Sequence, residues 1–239
     1  MALLWENDEV KELIIGAHGL LPILEILEPC TLKSRQHMIL QLLKIVNAVG
    51  GQPCVMGDGG VVGCADETQI ILDDVELQEN LCFVGGIPIV TKFAARQYSN
   101  EIRLEAAAFV RQVYQTSTLT LQMFVSAGGL NVLVEFLDED YEMSQDLVLI
   151  GVNGIWNVFE LQGPTPKNDF CRIFSRSKIL DPLAAILHKV LDEDRDELSE
   201  LVEGRIVNIF YLFSQAEPYV KEAVAERQVL KSMSTPLTV

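Results

Sequence analysis

At 239 residues, 49% of them hydrophobic, the chain is long enough for one substantial folded body or a short array of repeats. Eighteen Lys and Arg against 34 Asp and Glu leave a net charge of -16, which argues against nucleic acid or an anionic membrane as partner and favours a basic protein surface. No apolar run reaches the roughly 18 residues of a membrane span, and five scattered cysteines without a CxxC pair predict free thiols in a reducing, cytoplasmic setting.

In chain order, the first helix pattern is GAHGLLPILEIL (16–27), a glycine followed by a short apolar helix with Pro22 in its first turn. A longer amphipathic stretch, SRQHMILQLLKIVNAV (34–49), comes next. Residues 50–69, GGQPCVMGDGGVVGCADETQ, break the pattern with six glycines and read as a mobile inserted loop. Nothing reads as a β-sheet, and the VVG and IILDDV pieces near 61–75 are too isolated to change this. CFVGGIPIVTKFA (82–94) then repeats the glycine-plus-short-helix opening, with Pro88 in place of Pro22, and EIRLEAAAFVRQVYQ (101–115) repeats the long stretch.

The alternation continues with VSAGGLNVLVEFL (125–137) and SQDLVLIGVNGIWNVFEL (144–161), then SRSKILDPLAAIL (175–187) and SELVEGRIVNIFYLF (199–213), and a truncated AERQVLKSM (225–233). The opening positions Gly19, Gly86, Gly129, Lys178 and Gln228 follow one another at 67, 43, 49 and 50 residues. Spacing in the forties is that of two- or three-helix repeats of the HEAT and armadillo type. The predicted fold is therefore all-α, an armadillo/HEAT-like right-handed α-solenoid of about four repeats with a partial C-terminal unit, forming one domain over residues 1–239. The glycines are expected at the corner between two helices of a repeat.

A second feature recurs in phase with the first. KIVNAV, FVRQVY, GIWNVF and RIVNIF place a side-chain amide at the same point of each long stretch: Asn47, Gln112, Asn157 and Asn208. An amide donates and accepts at once, so such a row can fasten the backbone of an extended peptide, with Trp156 supplying an apolar slot. The alternative is that the amides tie neighbouring helices together and Trp156 is core. A cationic group, Lys167, Arg172, Arg176 and Lys178, stands out in so acidic a chain and suits an acidic or phosphorylated segment, unless it merely balances the acids around it. The acidic runs 138–142 and 192–200 read as soluble corners.

Catalytic chemistry finds no footing. There is no HRD loop, DFG motif or VAIK-type lysine, so no kinase site is encoded. His18, His37 and His188 lie in different repeats without metal-ligand spacing, and GDGG (57–60) lacks both a P-loop lysine and EF-hand ligands, so neither a metal nor a cofactor is expected.

The segments STLTLQMF (117–124), GGLNVLVEFLDEDY (128–141) and TPKNDFCRI (165–173), with AHGLLPILEIL (17–27) and ENLCFVGGIPIV (79–90), give the chain a specific likeness. From about Leu13 to Leu187 it resembles the helical region C-terminal to the kinase domain in the fungal septation and mitotic-exit kinases and plant MAP kinase kinase kinase epsilon. The resemblance implies a non-catalytic, armadillo-like interaction domain serving a serine/threonine kinase of septation or cytokinesis. It further implies a cytoplasmic site of action, at the spindle pole body, and a Ras-like small GTPase as regulator. The rival readings are a homodimerisation or scaffolding module and an adaptor holding basic peptides in an asparagine-lined groove.

Overall fold

The computed structural model describes residues 20–30, 35–49, 67–161, 167–192 and 197–225. Among them there are helices and turns and no strand. In chain order the helices are α1 (Leu20–Leu27), α2 (Gln36–Val49), α3 (Glu67–Phe83), α4 (Gly86–Thr91), α5 (Asn100–Thr116), α6 (Thr118–Ser126), α7 (Leu130–Leu137), α8 (Gln145–Glu160), α9 (Lys167–Arg176), α10 (Leu180–Asp192), α11 (Glu197–Gln215) and α12 (Pro218–Ala225). A 3-10 turn, Lys92–Ala94, extends α4. By contacts the chain divides into two compact units, Met1–Gly129 and Leu130–Val239.

Within each unit the packing has a period of three. In the first, α1 packs on α4, α2 on α5 and α3 on α6; in the second, α8 packs on α11 and α9 on α12. A helix that meets the one three places later is what stacked three-helix repeats produce, because each repeat buries its apolar faces on the next. The repeat thus has a first helix (α3, α6, α9, α12), short except in α3, a second (α1, α4, α7, α10) and a long third (α2, α5, α8, α11).

The corners explain the glycines. Gly85 (φ 90) and Gly128 (φ 84) are left-handed, and each donates its N–H to the carbonyl three residues back, Cys82 and Val125. The second glycine of each pair is needed for a different reason. A Cβ on Gly86 would stand 2.6 Å from the Leu81 carbonyl oxygen, and one on Gly129 would enter the Phe124 ring. In the fourth repeat Lys178 occupies the left-handed position (φ 60) and donates its N–H to Ser175. Lys178 is therefore the counterpart of Gly85 and Gly128, one place away from the alignment with Gly86 and Gly129 that sequence spacing suggests. Pro22, Pro88 and Pro182 each stand third in their helix, where the N–H has no helical partner to lose.

One expectation is corrected between residues 50 and 83. Residues 50–66, with Cys54, Cys64 and GDGG, lie outside the described residues, but 67–69 belong to helix α3 and not to a loop. The IILDDV stretch lies in that helix, in line with the reading that it is no β-strand. His18 and residues 226–239 also fall outside.

Each unit has its own core. In the first, α2 packs on α5, and Ile39, Leu43 and Val46 of the one and Ile102, Phe109 and Val113 of the other are all fully buried. Lys92 closes the end of α1: its ammonium donates to the Leu27 carbonyl at 2.7 Å and also to that of Glu28, satisfying oxygens a helix C-terminus leaves bare. Burial lowers the pKa of Lys92, the neighbouring Cys30 and Glu28 opposing this. In the second unit Phe159 of α8 touches Phe170 and Phe174 of α9 and Phe213 of α11, with centroids 6.3, 5.5 and 6.1 Å away.

Candidate functional site

The four in-phase amides lie at matching places on the third helices, but the fold uses them differently. In the first unit Asn47 donates to both the carbonyl oxygen (3.0 Å) and the carboxylate (2.8 Å) of Glu105 on α5. Gln112 of α5 donates back to the Asn47 carbonyl at 3.0 Å. This reciprocal pair joins α2 to α5, and both donor groups are spent inside the fold. The Asn47 Oδ1 is buried without a hydrogen-bond partner among the described residues.

The second unit arranges its amides otherwise. Asn157 of α8 donates to the carbonyl of Asn153 one turn back at 2.8 Å, and Trp156 beside it is half-buried. Asn153 itself accepts from the Arg205 guanidinium of α11, a link between the two packed helices. Asn208, one turn beyond, is exposed and has no side-chain hydrogen bond among the described residues. Around it α11 shows an apolar strip to solvent: Leu201 (48% exposed), Val207 (49%) and Tyr211 (62%). Asn208 stands on one line with Leu201, Gly204 and Tyr211, the three- and four-residue steps of a single helix face.

Asn153 and Arg205 were not singled out from the sequence. The signal was present, since Asn153 lies one turn from Asn157 on an otherwise apolar helix. Its partner on α11 is a matter of tertiary packing.

The four cations separate. Phe170, Cys171, Phe174 and Ser175 form the buried side of α9, so Arg172 and Arg176 fall on the opposite, exposed side. Lys167 begins the helix on the other side, and exposed Lys178 follows Arg176 in the corner. Arg172 is paired with Asp169 at 3.0 Å. Of the acidic runs, 138–142 forms the turn between α7 and α8: Asp140 accepts the N–H groups of Glu142 and Met143, and Lys189 of α10 stands 3.9 Å from Asp140 and 3.1 Å from Glu142.

Among the described residues no three His, Cys, Asp or Glu come together as a metal site, and no single helix is long and apolar enough to cross a membrane. Cys30, Cys82 and Cys171 are free and buried. Burial pushes the Cys82 thiol up to about 12, helped by the Glu79 carboxylate, and the Cys171 thiol up to about 11.

Known proteins place this geometry. No protein-family model matches the chain. Cytokinesis protein sepH of Emericella nidulans is 63% identical over 230 residues, 96% of this chain and 15% of the relative. Cell division control protein 7 of Schizosaccharomyces pombe is 37% identical over 230 residues, 96% of this chain and 19% of its own. MAP3K epsilon protein kinase 1 of Arabidopsis thaliana is 37% identical over 197 residues, 82% and 13%. The chain is homologous to one segment of these proteins. It spans less than a fifth of their length.

Solved structures agree on the fold. A designed armadillo repeat protein in complex with the peptide (KR)4 superposes with a TM-score of 0.58 at 18% identity, covering 95% of this chain and 77% of the other. A computationally designed armadillo protein for modular peptide recognition gives 0.57 at 18%, covering 94% and 77%. The fold is of the armadillo repeat kind.

Proposed function

We propose that this chain acts as a single non-catalytic protein-interaction module of a larger serine/threonine kinase of septation and cytokinesis, docking an extended segment of a protein partner on α8 and α11. The observation that carries this reading is Asn208, an amide without a side-chain hydrogen bond among the described residues, set in the exposed apolar strip of α11, the helix that packs on the one carrying Trp156 and Asn157. Apolar side chains would seat the partner's side chains while the amides hold its backbone. The net charge of -16 favours a basic segment, and the structural neighbour in complex with (KR)4 supports the same polarity. The segment would belong to a Ras-like small GTPase or to the kinase itself, acting in the cytoplasm at the spindle pole body. Fluorescence titration of Trp156 with (KR)4 tests the site: saturable binding, weakened at least tenfold in the Asn157→Ala/Asn208→Ala double variant, is expected. Equal affinity in the double variant refutes it.

A second reading rests on the same apolar strip, extended by Leu198 (45% exposed) and by Tyr219 of α12 (43%). It is self-association through α11, and light scattering at micromolar concentration distinguishes a dimer from a monomer.

A further inference from the structure

The exposed side of α9 carries a second, cationic surface on a different helix from the docking amides. Arg172 and Arg176 are one turn apart there, so their Cβ atoms lie roughly 5–6 Å from each other. Exposed Lys178 follows two residues on. In a chain of 34 acids and 18 Lys or Arg, the side chains of Arg176 and Lys178 have no anionic partner among the described residues. Among the described residues Arg172 holds only Asp169, in a half-exposed pair that a stronger anion can displace.

Lys178 adds an independent observation. It sits at φ 60, in the corner where the two equivalent positions are glycine, Gly85 and Gly128. A lysine in the left-handed region is strained, and nothing inside the described fold uses its ammonium. The strained position thus carries an exposed cation.

We infer that Arg172, Arg176 and Lys178 form a binding site for a phosphorylated serine or threonine in an extended protein segment. A phosphate group carries nearly two charges and three acceptor oxygens, which a pair of guanidinium forks and an ammonium can share. A tract of Asp and Glu fits less well, because its spread charge meets repulsion from a chain of net charge -16, whereas a phosphate delivers its charge at one point. Ile173, 38% exposed on the same side of α9, offers an apolar contact to a residue flanking the phosphate.

The test is fluorescence anisotropy of the 239-residue chain at physiological salt. The probes are a degenerate peptide library with a fixed central phosphothreonine and the same library with threonine. Expected are at least tenfold tighter binding of the phosphorylated library, about a tenfold loss in Arg176→Gln, and a several-fold loss in Lys178→Gly. Lys178→Gly should also melt a few degrees higher, by about 2–4 °C, because glycine relieves the corner, so its loss of binding cannot be misfolding. The Asn157→Ala/Asn208→Ala variant should bind the phosphorylated library as wild type does, which separates this site from the docking strip. Equal affinity for the two libraries overturns the inference, as does wild-type binding in both cation variants. It is overturned too if vesicles of phosphatidylserine capture the chain through these residues while the phosphorylated library does not bind.

Discussion

Three helical glycines receive the same substitution and respond with opposite signs. Gly204, in α11, would place a Cβ in open space, with nothing within 4 Å. Gly204→Ala therefore gains the helix propensity of alanine over glycine, about 1 kcal/mol, at no packing cost. Gly154, in α8, faces α7 across a close helix contact: its Cβ would lie 2.5 Å from Leu133 Cδ2 and 3.1 Å from Leu133 Cδ1. Leu133 is fully buried, so its methyl group must shift within a packed interior. Overpacking of this kind costs about 1–3 kcal/mol, which cancels or exceeds the same propensity gain and leaves Gly154→Ala destabilised by up to about 2 kcal/mol. Gly151 lies between the two, with a Cβ 3.1 Å from the Leu133 carbonyl oxygen and 3.1 Å from Phe136 Cβ, so its change should be near neutral or mildly unfavourable. The assay is urea unfolding followed by Trp156 fluorescence in a Trp5→Phe background, where Trp156 reports on its own unit. Shortening Leu133 to Ala should make Gly154→Ala relatively favourable, since the new methyl then fills part of the cavity. If Gly154→Ala stabilised as much as Gly204→Ala, the tight α7–α8 contact would be absent and the reasoning refuted.

Three further outcomes follow from the same geometry. Asn47→Ala should cost about 1–2 kcal/mol in the first unit by removing donors to Glu105, while leaving (KR)4 affinity unchanged; a loss of affinity as large as that of Asn157→Ala/Asn208→Ala would contradict the division of the amides. Phe159→Ala should destabilise the second unit by about 3–5 kcal/mol, since the ring holds α9 and α11 to α8, and a shift below about 1 kcal/mol in urea would remove Phe159 as its centre. Stability should fall in alkali: the unfolded thiols release protons near their ordinary value of 9.0, whereas folded Cys82 and Cys171 hold theirs to about 12 and about 11. Stability present below pH 9 is then lost as pH rises through this window, by up to about 1.4 kcal/mol per pH unit for each thiol. Cys82→Ser should flatten its share of the slope, measured by urea unfolding between pH 8.5 and 10.5, and an unchanged slope would count against a buried thiol.

What was legible in the sequence was what repeats. The paired glycines and the in-phase amides fixed the period because each answers a need of the same corner or the same helix face, and the armadillo character came through despite 18% identity to the designed proteins. Helix α3 was missed because its apolar residues are not on one clean face: Asp73 and Asp74 follow Ile70, Ile71 and Leu72 directly, and its buried set includes the polar Gln78. The fourth corner slipped by one place because a glycine search cannot find a left-handed lysine. For the amides, sequence supplied the position but not the use. Asn47 and Gln112 are spent on each other's helices because α2 and α5 pack closely enough for Glu105 and the Asn47 carbonyl to come within reach, and only coordinates contain that distance.

The central claim is that α8 and α11 dock a protein partner through Asn157, Asn208 and the apolar strip of α11. It is tested most directly by pull-down of the chain and its Asn157→Ala/Asn208→Ala variant against a purified Ras-like small GTPase of the septation pathway, loaded with a GTP analogue or GDP. The account predicts retention by the wild-type chain, stronger in one nucleotide state, and loss in the variant. Equal retention by both chains would contradict it.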